Sequence, residues 1–299
     1  MESTGADEPQ ARHDWHGTPF SCEGCPHRDR HALGLCDEGR ACVTDHRAAL
    51  VQAFFARNPD LSDDYLDHPW FVVRVQAARR ATVFRLPALI SDPDPDVRWA
   101  VTQRLPRTQV LRLRDDPDPR VRIGVAGRLQ DGDLVPLVED PDPSVRATVA
   151  RRINPSMLVL MLHDPDPEVR RVVARRIGAD WLPTMIWDES PEVRLDVAAR
   201  LDPEQLAPLA RDPDVRVRHT VAERIDAAHL SLLAHDPDDV VREMVQARAP
   251  EIPGGPMPLS AARAASCAPL FPHLLTPVEG RPRPSSLPVS PTPPPLHPE

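Results

Sequence analysis

An Asp returns at a fixed interval of 24 residues through the middle of this chain, at Asp92, Asp116, Asp140, Asp164, Asp188, Asp212 and Asp236. Five residues after each comes a Val, from Val97 to Val241, and an Arg follows every one of those, from Arg98 to Arg242. A second Arg recurs six further on, from Arg104 to Arg248. Self-similarity this strict belongs to a stack of small supersecondary units, each burying its apolar face against its neighbours. A single deep globular core is excluded as the default, and the 4% aromatic content suits a thin, continuous one.

One unit reads D-P-D-P-x-V-R-x-x-V-A-x-R-L, four variable residues, then L-x-x-L. In the unit opening at Asp140, Asp142 is placed to cap a helix and Pro143 to begin it, because Pro lacks the N–H that would lack a partner there. Ser190 and Pro191 replace the pair in the unit at Asp188, and Ser is expected to cap equally well. Val145, Val149 and Ile153, with Ala150 beside them, make one apolar stripe along about three turns. The return leg, Leu158 and Met161 or Leu206 and Leu209, has spacing three. About 11 helical residues rise about 16 Å, and the 8 or 9 residues left to come back manage that distance only at the roughly 2.0 Å rise of a 3₁₀ helix. The expected fold class is therefore all-α, a solenoid of alternating α and 3₁₀ legs without a sheet.

The frame extends upstream once through His68, Pro69, Val73, Arg74, Ala77, Arg80, Leu86 and Leu89, with a degenerate start. Eight units over 68–250 are expected, the last cut short after Arg248. The departures at Asp212 (D-P-D-V) and Asp236 (D-P-D-D) are expected to weaken individual caps. On a helical wheel the two Arg columns flank the apolar stripe at the seams between units. Pairing with the capping Asp carboxylates and free helix ends of the same or adjacent unit is favoured over a cationic ladder for an acidic partner or phosphate backbone, because every unit carries its own compensating Asp. Arg151, Arg152, Arg170, Arg171, Arg175 and Arg176 form the locally basic stretch.

Charge supports that reading. Residues 68–250 hold 27 Arg against 29 acids, while residues 1–67 hold 6 against 13. A nearly neutral array disfavours nucleic acid and anionic membrane as partners held by net attraction. No apolar run is long enough to span a bilayer, and the first residues have no basic and apolar signal pattern, so a cytoplasmic protein is expected.

Ahead of the repeats stand Cys22, Cys25, Cys36 and Cys42, in the pattern C-x2-C-x10-C-x5-C. The close pair Cys22 and Cys25 offers two thiolates from one tight loop stiffened by Pro26, and Gly24, Gly34 and Gly39 let the backbone turn about a bound centre. Disulfides are disfavoured for a cytosolic chain. A structural zinc with four thiolate ligands and a four-iron, four-sulfur cluster both suit this spacing, which does not separate them. His27, His31 and His46 lie nearby but are not needed as ligands beside four Cys.

A 24-residue repeat of this text preceded by four clustered cysteines resembles the leucine-rich repeat variant family. The resemblance covers about Cys22 to Pro250. It implies a right-handed superhelix of α and 3₁₀ helices, an N-terminal 4Fe-4S cluster with Cys22, Cys25, Cys36 and Cys42 as its ligands, and a bacterial source, often in connection with nitrogen-fixation genes.

The expected organisation is a disordered start at 1–17, a cluster domain at 18–50, a capping helix and linker at 51–67, the repeats at 68–250 and a proline-rich disordered tail at 251–299. In the capping segment Thr44 or Asp45 is placed to cap a helix whose apolar face is Leu50, Val51, Phe54 and Phe55. The tail has polyproline character, and its Cys267 is not assigned a ligand role. No Walker loop, dinucleotide-binding glycine motif, H-E-x-x-H or C-x3-C-x2-C occurs. The function expected is thus non-enzymatic: an iron–sulfur scaffold, monomeric, offering its solenoid surface to a protein partner and responding to redox state or iron. An electron carrier for an oxidoreductase, or a zinc-stabilised interaction module, is the alternative.

Overall fold

The computed structural model describes residues 12–248. The proline-rich tail and Cys267 lie outside the described residues. The described residues contain α-helices α1 (Arg28–Ala32), α2 (Ala48–Arg57), α3 (Phe71–Ala78), α4 (Pro95–Thr102), α5 (Arg107–Val110), α6 (Pro119–Ala126), α7 (Pro143–Arg152), α8 (Pro167–Arg176), α9 (Pro191–Ala198), α10 (Val215–Arg224) and α11 (Asp239–Arg248). Leaving out α5, the helices from α3 onward begin 24 residues apart, one per unit, and each packs on the next. No β-strand forms among the described residues, only isolated bridges such as Asp14 with Asp45 and Asp37 with Ala41.

Between consecutive helices the chain returns as 3₁₀ helix, for example Leu86–Ser91, Pro155–Met161 and Ala179–Met185. The leg after α4 departs from that expectation by opening with the single α turn α5 before tightening to 3₁₀ at Leu111–Leu113. One column of side chains per unit makes the core. Val97, Val101, Leu105 and Val110 in one unit, and Val145, Val149, Ile153 and Leu158 in another, have no exposed surface. Each such burial contributes about 1.5–3 kcal/mol.

Helix starts follow the D-P-D-P text with a division of labour between the two aspartates. The second is the N-cap. Asp142 accepts from the Ser144 N–H at 2.8 Å and Asp118 from the Arg120 N–H at 2.8 Å. The first turns its carboxylate to the seam and also accepts the N–H two residues on, as Asp140 does from Asp142 at 2.9 Å. Ser190 differs from expectation, since its hydroxyl makes no cap bond, and Pro191 and an extended Ser190 backbone suffice to start α9. The irregular units keep their caps: Asp214 accepts from the Arg216 N–H at 2.8 Å and Asp238 from the Val240 N–H at 2.9 Å. In the first unit His68 takes the place of the opening Asp, its Nδ1 accepting the Trp70 N–H at 3.1 Å.

Both Arg columns lie at the seams, with partners more specific than the periodicity implies. Arg146 donates from Nε and Nη2 to both oxygens of Asp164 at 2.8 and 2.9 Å, and from Nη1 to the Asp140 carbonyl at 2.8 Å. The same bidentate pair, always to the opening Asp of the next unit rather than to a capping Asp, joins Arg74 to Asp92, Arg98 to Asp116, Arg122 to Asp140, Arg170 to Asp188, Arg194 to Asp212 and Arg218 to Asp236. The second column reaches backward. Arg200 donates to the Ala174 and Ile177 carbonyls at 2.6 and 2.8 Å, and Arg104 to that of Ala78 at 3.0 Å, satisfying the orphan C=O groups at the end of the preceding helix. Within the locally basic stretch, Arg171 and Arg175 both meet Asp196, and Arg176 caps the Ala150 carbonyl.

Upstream of the first repeat, α2 and the 3₁₀ leg Pro59–Tyr65 together make one more α/3₁₀ unit, against which α3 packs. The expected face is there: Leu50, Val51, Phe54 and Phe55 are buried. The expected cap is not. Arg47 precedes the helix without a side-chain cap, because Asp45 is held by the Arg47 N–H and guanidinium at 2.9 and 2.8 Å. Residues 12–17, expected to be disordered, are tied down by the bridges of His13 to Pro19 and Asp14 to Asp45.

Candidate metal centre

The four cysteines occupy a compact cap built from loops around the short helix α1. Cys22 and Cys25 lie in one tight turn, the Cys25 N–H donating to the Cys22 carbonyl at 3.4 Å, and both are half-buried. Cys36 and Cys42 are buried. Gly34 and Gly39 flank Cys36 with φ of +71° and +75°, the left-handed region an L side chain rarely adopts. Gly24 has no such φ, so the freedom expected of it is not used. Asp37 and Ala41 pair across Gly39, and the Cys36 thiol faces the Ala41 carbonyl at 3.4 Å.

Burial dominates the electrostatics of the thiols. Burial, followed by the charges of Cys42, Cys25, Cys22 and Asp37, pushes the Cys36 thiol up to about 12. Burial raises Cys42 as well, opposed by the N–H groups of Thr44 and Asp45. Cys22 is raised by burial and by Glu38, while Arg12, 3.9 Å from its sulfur and ion-paired to Glu38 at 2.8 Å, works against them. All four thiols are free of disulfides. Among the described residues no three or more His, Cys, Asp or Glu are drawn together as around one ion. Four thiols free of disulfides, two of them buried, are the donor set an iron–sulfur cluster takes.

The nearby histidines are engaged elsewhere. His27 Nε2 is hydrogen-bonded to the Tyr65 hydroxyl, with its ring 5.1 Å from that of Phe54, and His46 Nδ1 donates to the His13 carbonyl at 3.0 Å. Tyr65 forms the wall between cap and solenoid. Burial, with the charge of Cys25 and smaller contributions from Asp64, Cys42 and Cys36, pushes its hydroxyl up to about 12. Asn58, buried in a core column, donates to the Leu35 carbonyl at 2.9 Å, and the Cys42 N–H donates to the Leu50 carbonyl at 3.1 Å. Trp15 stacks on Trp70 with ring centres 6.4 Å apart, fastening the N-terminal segment to the first repeat. Of these supporting residues Tyr65 was legible in the sequence, as a position that with Leu61 and Leu66 carries the packing on to His68.

Comparison with known proteins adds to this geometry. Residues 12–64 match a family model described as the FeS4 cluster of leucine-rich repeat variant proteins, and residues 215–238 match the leucine-rich repeat variant model. A solved structure titled "a leucine-rich repeat variant with a novel repetitive protein structural motif" is 39% identical, is covered over its whole length by 77% of this chain, and superposes with a TM-score of 0.73. The chain belongs to the leucine-rich repeat variant family. A curated relative, an uncharacterized 27.7 kDa protein in the nifB 3′ region of Rhodobacter capsulatus, is 46% identical over 93 residues, 31% of this chain. The match spans 38% of that relative's length. This leucine-rich repeat variant is thus a helical repeat solenoid preceded by an iron–sulfur-associated cap. None of its described helices is long and apolar enough to cross a membrane.

Proposed function

We propose that the protein is a non-enzymatic iron–sulfur scaffold in which Cys22, Cys25, Cys36 and Cys42 hold a 4Fe-4S cluster and the solenoid offers its surface to a protein partner. The observation that carries the reading is the match of residues 12–64, which hold all four cysteines, to the FeS4 cluster model, on a cap whose four thiols are free of disulfides. When bound, such a cluster supplies one-electron redox chemistry, and four protein ligands leave no iron open to a substrate.

The chain's own residues do the rest. Gly34 and Gly39 turn the loop about Cys36. Tyr65 and Asn58 join the cap to the first α/3₁₀ unit, so a change at the thiols is felt at the start of the solenoid. Arg12 and Glu38 cover the half-exposed Cys22. A protein rather than nucleic acid is the partner favoured by the pairing of the seam arginines within the array. The link to nitrogen fixation rests on the genomic setting named for the Rhodobacter capsulatus relative.

Anaerobically purified protein tests this. About four iron and four acid-labile sulfide per chain are expected. Cys36→Ala abolishes the brown chromophore while the repeats stay helical by circular dichroism. Zinc without sulfide, or a full cluster in Cys36→Ala, would refute the assignment.

A further inference from the structure

The two Arg columns leave different charges on the surface. The first is neutralised by the opening aspartates, whereas the second meets carbonyl oxygens and keeps its charge. The edge of the solenoid where the α-helices end is therefore cationic wherever no acid stands beside it. Acids are spread unevenly along that edge. The stretches that follow α3 and α4, residues 79–85 and 103–109, hold five Arg and no Asp or Glu, while the matching stretches late in the array, residues 199–205 and 223–229, hold two Arg and four acids. The near-neutral sum over the array conceals this separation.

At the basic end the second column also runs out of carbonyls. Arg104 donates to the Ala78 and Ala81 carbonyls at 3.0 and 2.5 Å, which lays it against residues 79–85. One unit earlier, Asn58 fills the Phe54 carbonyl with its N–H and its side-chain amide, both at 2.9 Å, and Arg80 has no hydrogen-bond or ion-pair partner among the described residues. Arg79, Arg85 and Arg104 form no ion pair among them either. Beside these cations Phe84 is 95% exposed. Later units have Thr108, Ser156, Asp180 and Glu204 at its position.

We propose that this edge docks an acidic segment of a protein partner, with carboxylates on Arg79, Arg80, Arg85 and Arg104 and one apolar side chain on Phe84. Charge complementarity is the first reason. The guanidinium fork matches a carboxylate with two parallel bonds, and Arg79, Arg80 and Arg85 turn to a partner without breaking any ion pair of the fold. Phe84 is the second, because an aromatic side chain among arginines is the composition of an interface anchor. Length is the third. Asp63, which accepts the Thr82 N–H and hydroxyl at 2.7 and 2.9 Å, and Asp133, paired with Arg107, close the edge at its two ends. It spans about two unit spacings, roughly 16–20 Å, which suits a short peptide, whereas a phosphate backbone running past either end meets an acid. This names the chemistry of the partner in the scaffold reading and rests on that reading.

The test uses the full chain with ¹⁵N-labelled arginine and, as probe, a synthetic peptide of Glu residues around a central Leu, at low salt. The peptide is expected to shift the Arg80 and Arg85 Nε–H signals, assigned by their loss in Arg80→Gln and Arg85→Gln, and to bind roughly tenfold more weakly to the double variant. Neither side chain holds anything in the fold, so the double variant is expected to melt as the native chain does. Phe84→Ser is expected to weaken binding severalfold, and added salt to weaken it steadily. Arg211→Gln, at an exposed Arg ending a 3₁₀ leg, is expected to leave it unchanged. Unmoved Arg80 and Arg85 signals, or equal affinity of native chain and double variant, would overturn the proposal. So would tighter binding of a thymidine oligonucleotide than of the peptide through the same arginines, which would make the edge a phosphate site. Iron and sulfide are measured on the same protein, so a failure of this edge is told apart from a failure of the cluster assignment.

Discussion

Replacing Arg146 with Met probes the seam at the centre of the solenoid. The Arg146 side chain is 10% exposed and that of Asp164 4%. The substitution removes both bonds to that carboxylate and the bond to the Asp140 carbonyl, leaving Asp164 with the Asp166 N–H at 2.9 Å. Met keeps most of the apolar stem, so the loss is electrostatic. Breaking one side of a buried pair costs about 3–5 kcal/mol. Asp164→Asn keeps an acceptor for the Asp166 N–H, and the double variant restores neutrality, so it should lose less than the sum of the singles by about 1–3 kcal/mol. Arg175→Met serves as control, because Arg175 is 54% exposed in its pair with Asp196 and an exposed pair contributes about 0–1 kcal/mol. Urea unfolding followed by circular dichroism reads all four proteins. Since units touch only their neighbours, Arg146→Met is also expected to split the transition into two. A cost for Arg146→Met equal to that of Arg175→Met, with no coupling to Asp164→Asn, would refute the reasoning.

Capping is tested by Asp142→Ala, expected to cost about 1 kcal/mol, against Ser190→Ala, expected to cost almost nothing because that hydroxyl makes no cap bond; equal losses in thermal melts would contradict this. Gly124→Val should destabilise by about 1–3 kcal/mol, since even a Cβ there would stand 2.7 Å from Thr102 Oγ1 and 3.1 Å from Trp99, and an unchanged melting temperature would show the α4 and α6 contact to be looser. Acid is expected to loosen the seams. Burial raises the Asp188 and Asp236 carboxyls, but their arginine partners and backbone N–H bonds outweigh it and hold both below the ordinary carboxylate value. Arg216, with smaller backbone and charge contributions, holds Asp214 at about 2. Groups depressed on folding contribute stability that is complete above the unfolded value of about 3.9 and is lost as pH falls through the folded one. Unfolding midpoints should therefore hold from pH 7 to about 4 and drop below it, and a flat profile down to pH 2 would oppose the assignment.

The period, the helix starts at each Pro or capping Asp and the 3₁₀ return legs were legible because they are local. They depend on residues within one turn, or on a length the chain must cover. Four cysteines in one short stretch were legible as a donor set for the same reason. The shape of the loop that carries them was not, because the Cys36 thiol comes to face the Ala41 carbonyl only after Gly34, Gly39 and the Asp37 to Ala41 pairing bend the chain back. Ser190 and Asp45 show the limit from the other side. Both are residue types that cap, yet one leaves its hydroxyl unused and the other is taken by Arg47.

By itself the sequence determined that this protein is a stack of 24-residue α/3₁₀ units, because spacing and chain length admit no other way to bury Val and Leu at those intervals. Tertiary structure alone decided that Arg146 meets Asp164 in the next unit rather than the capping Asp142, and that α2 and Pro59–Tyr65 continue the stack toward the cysteines. Those outcomes turn on how one unit is rotated and shifted against the next, and that register is set by the packing of whole helices, which no single repeat contains.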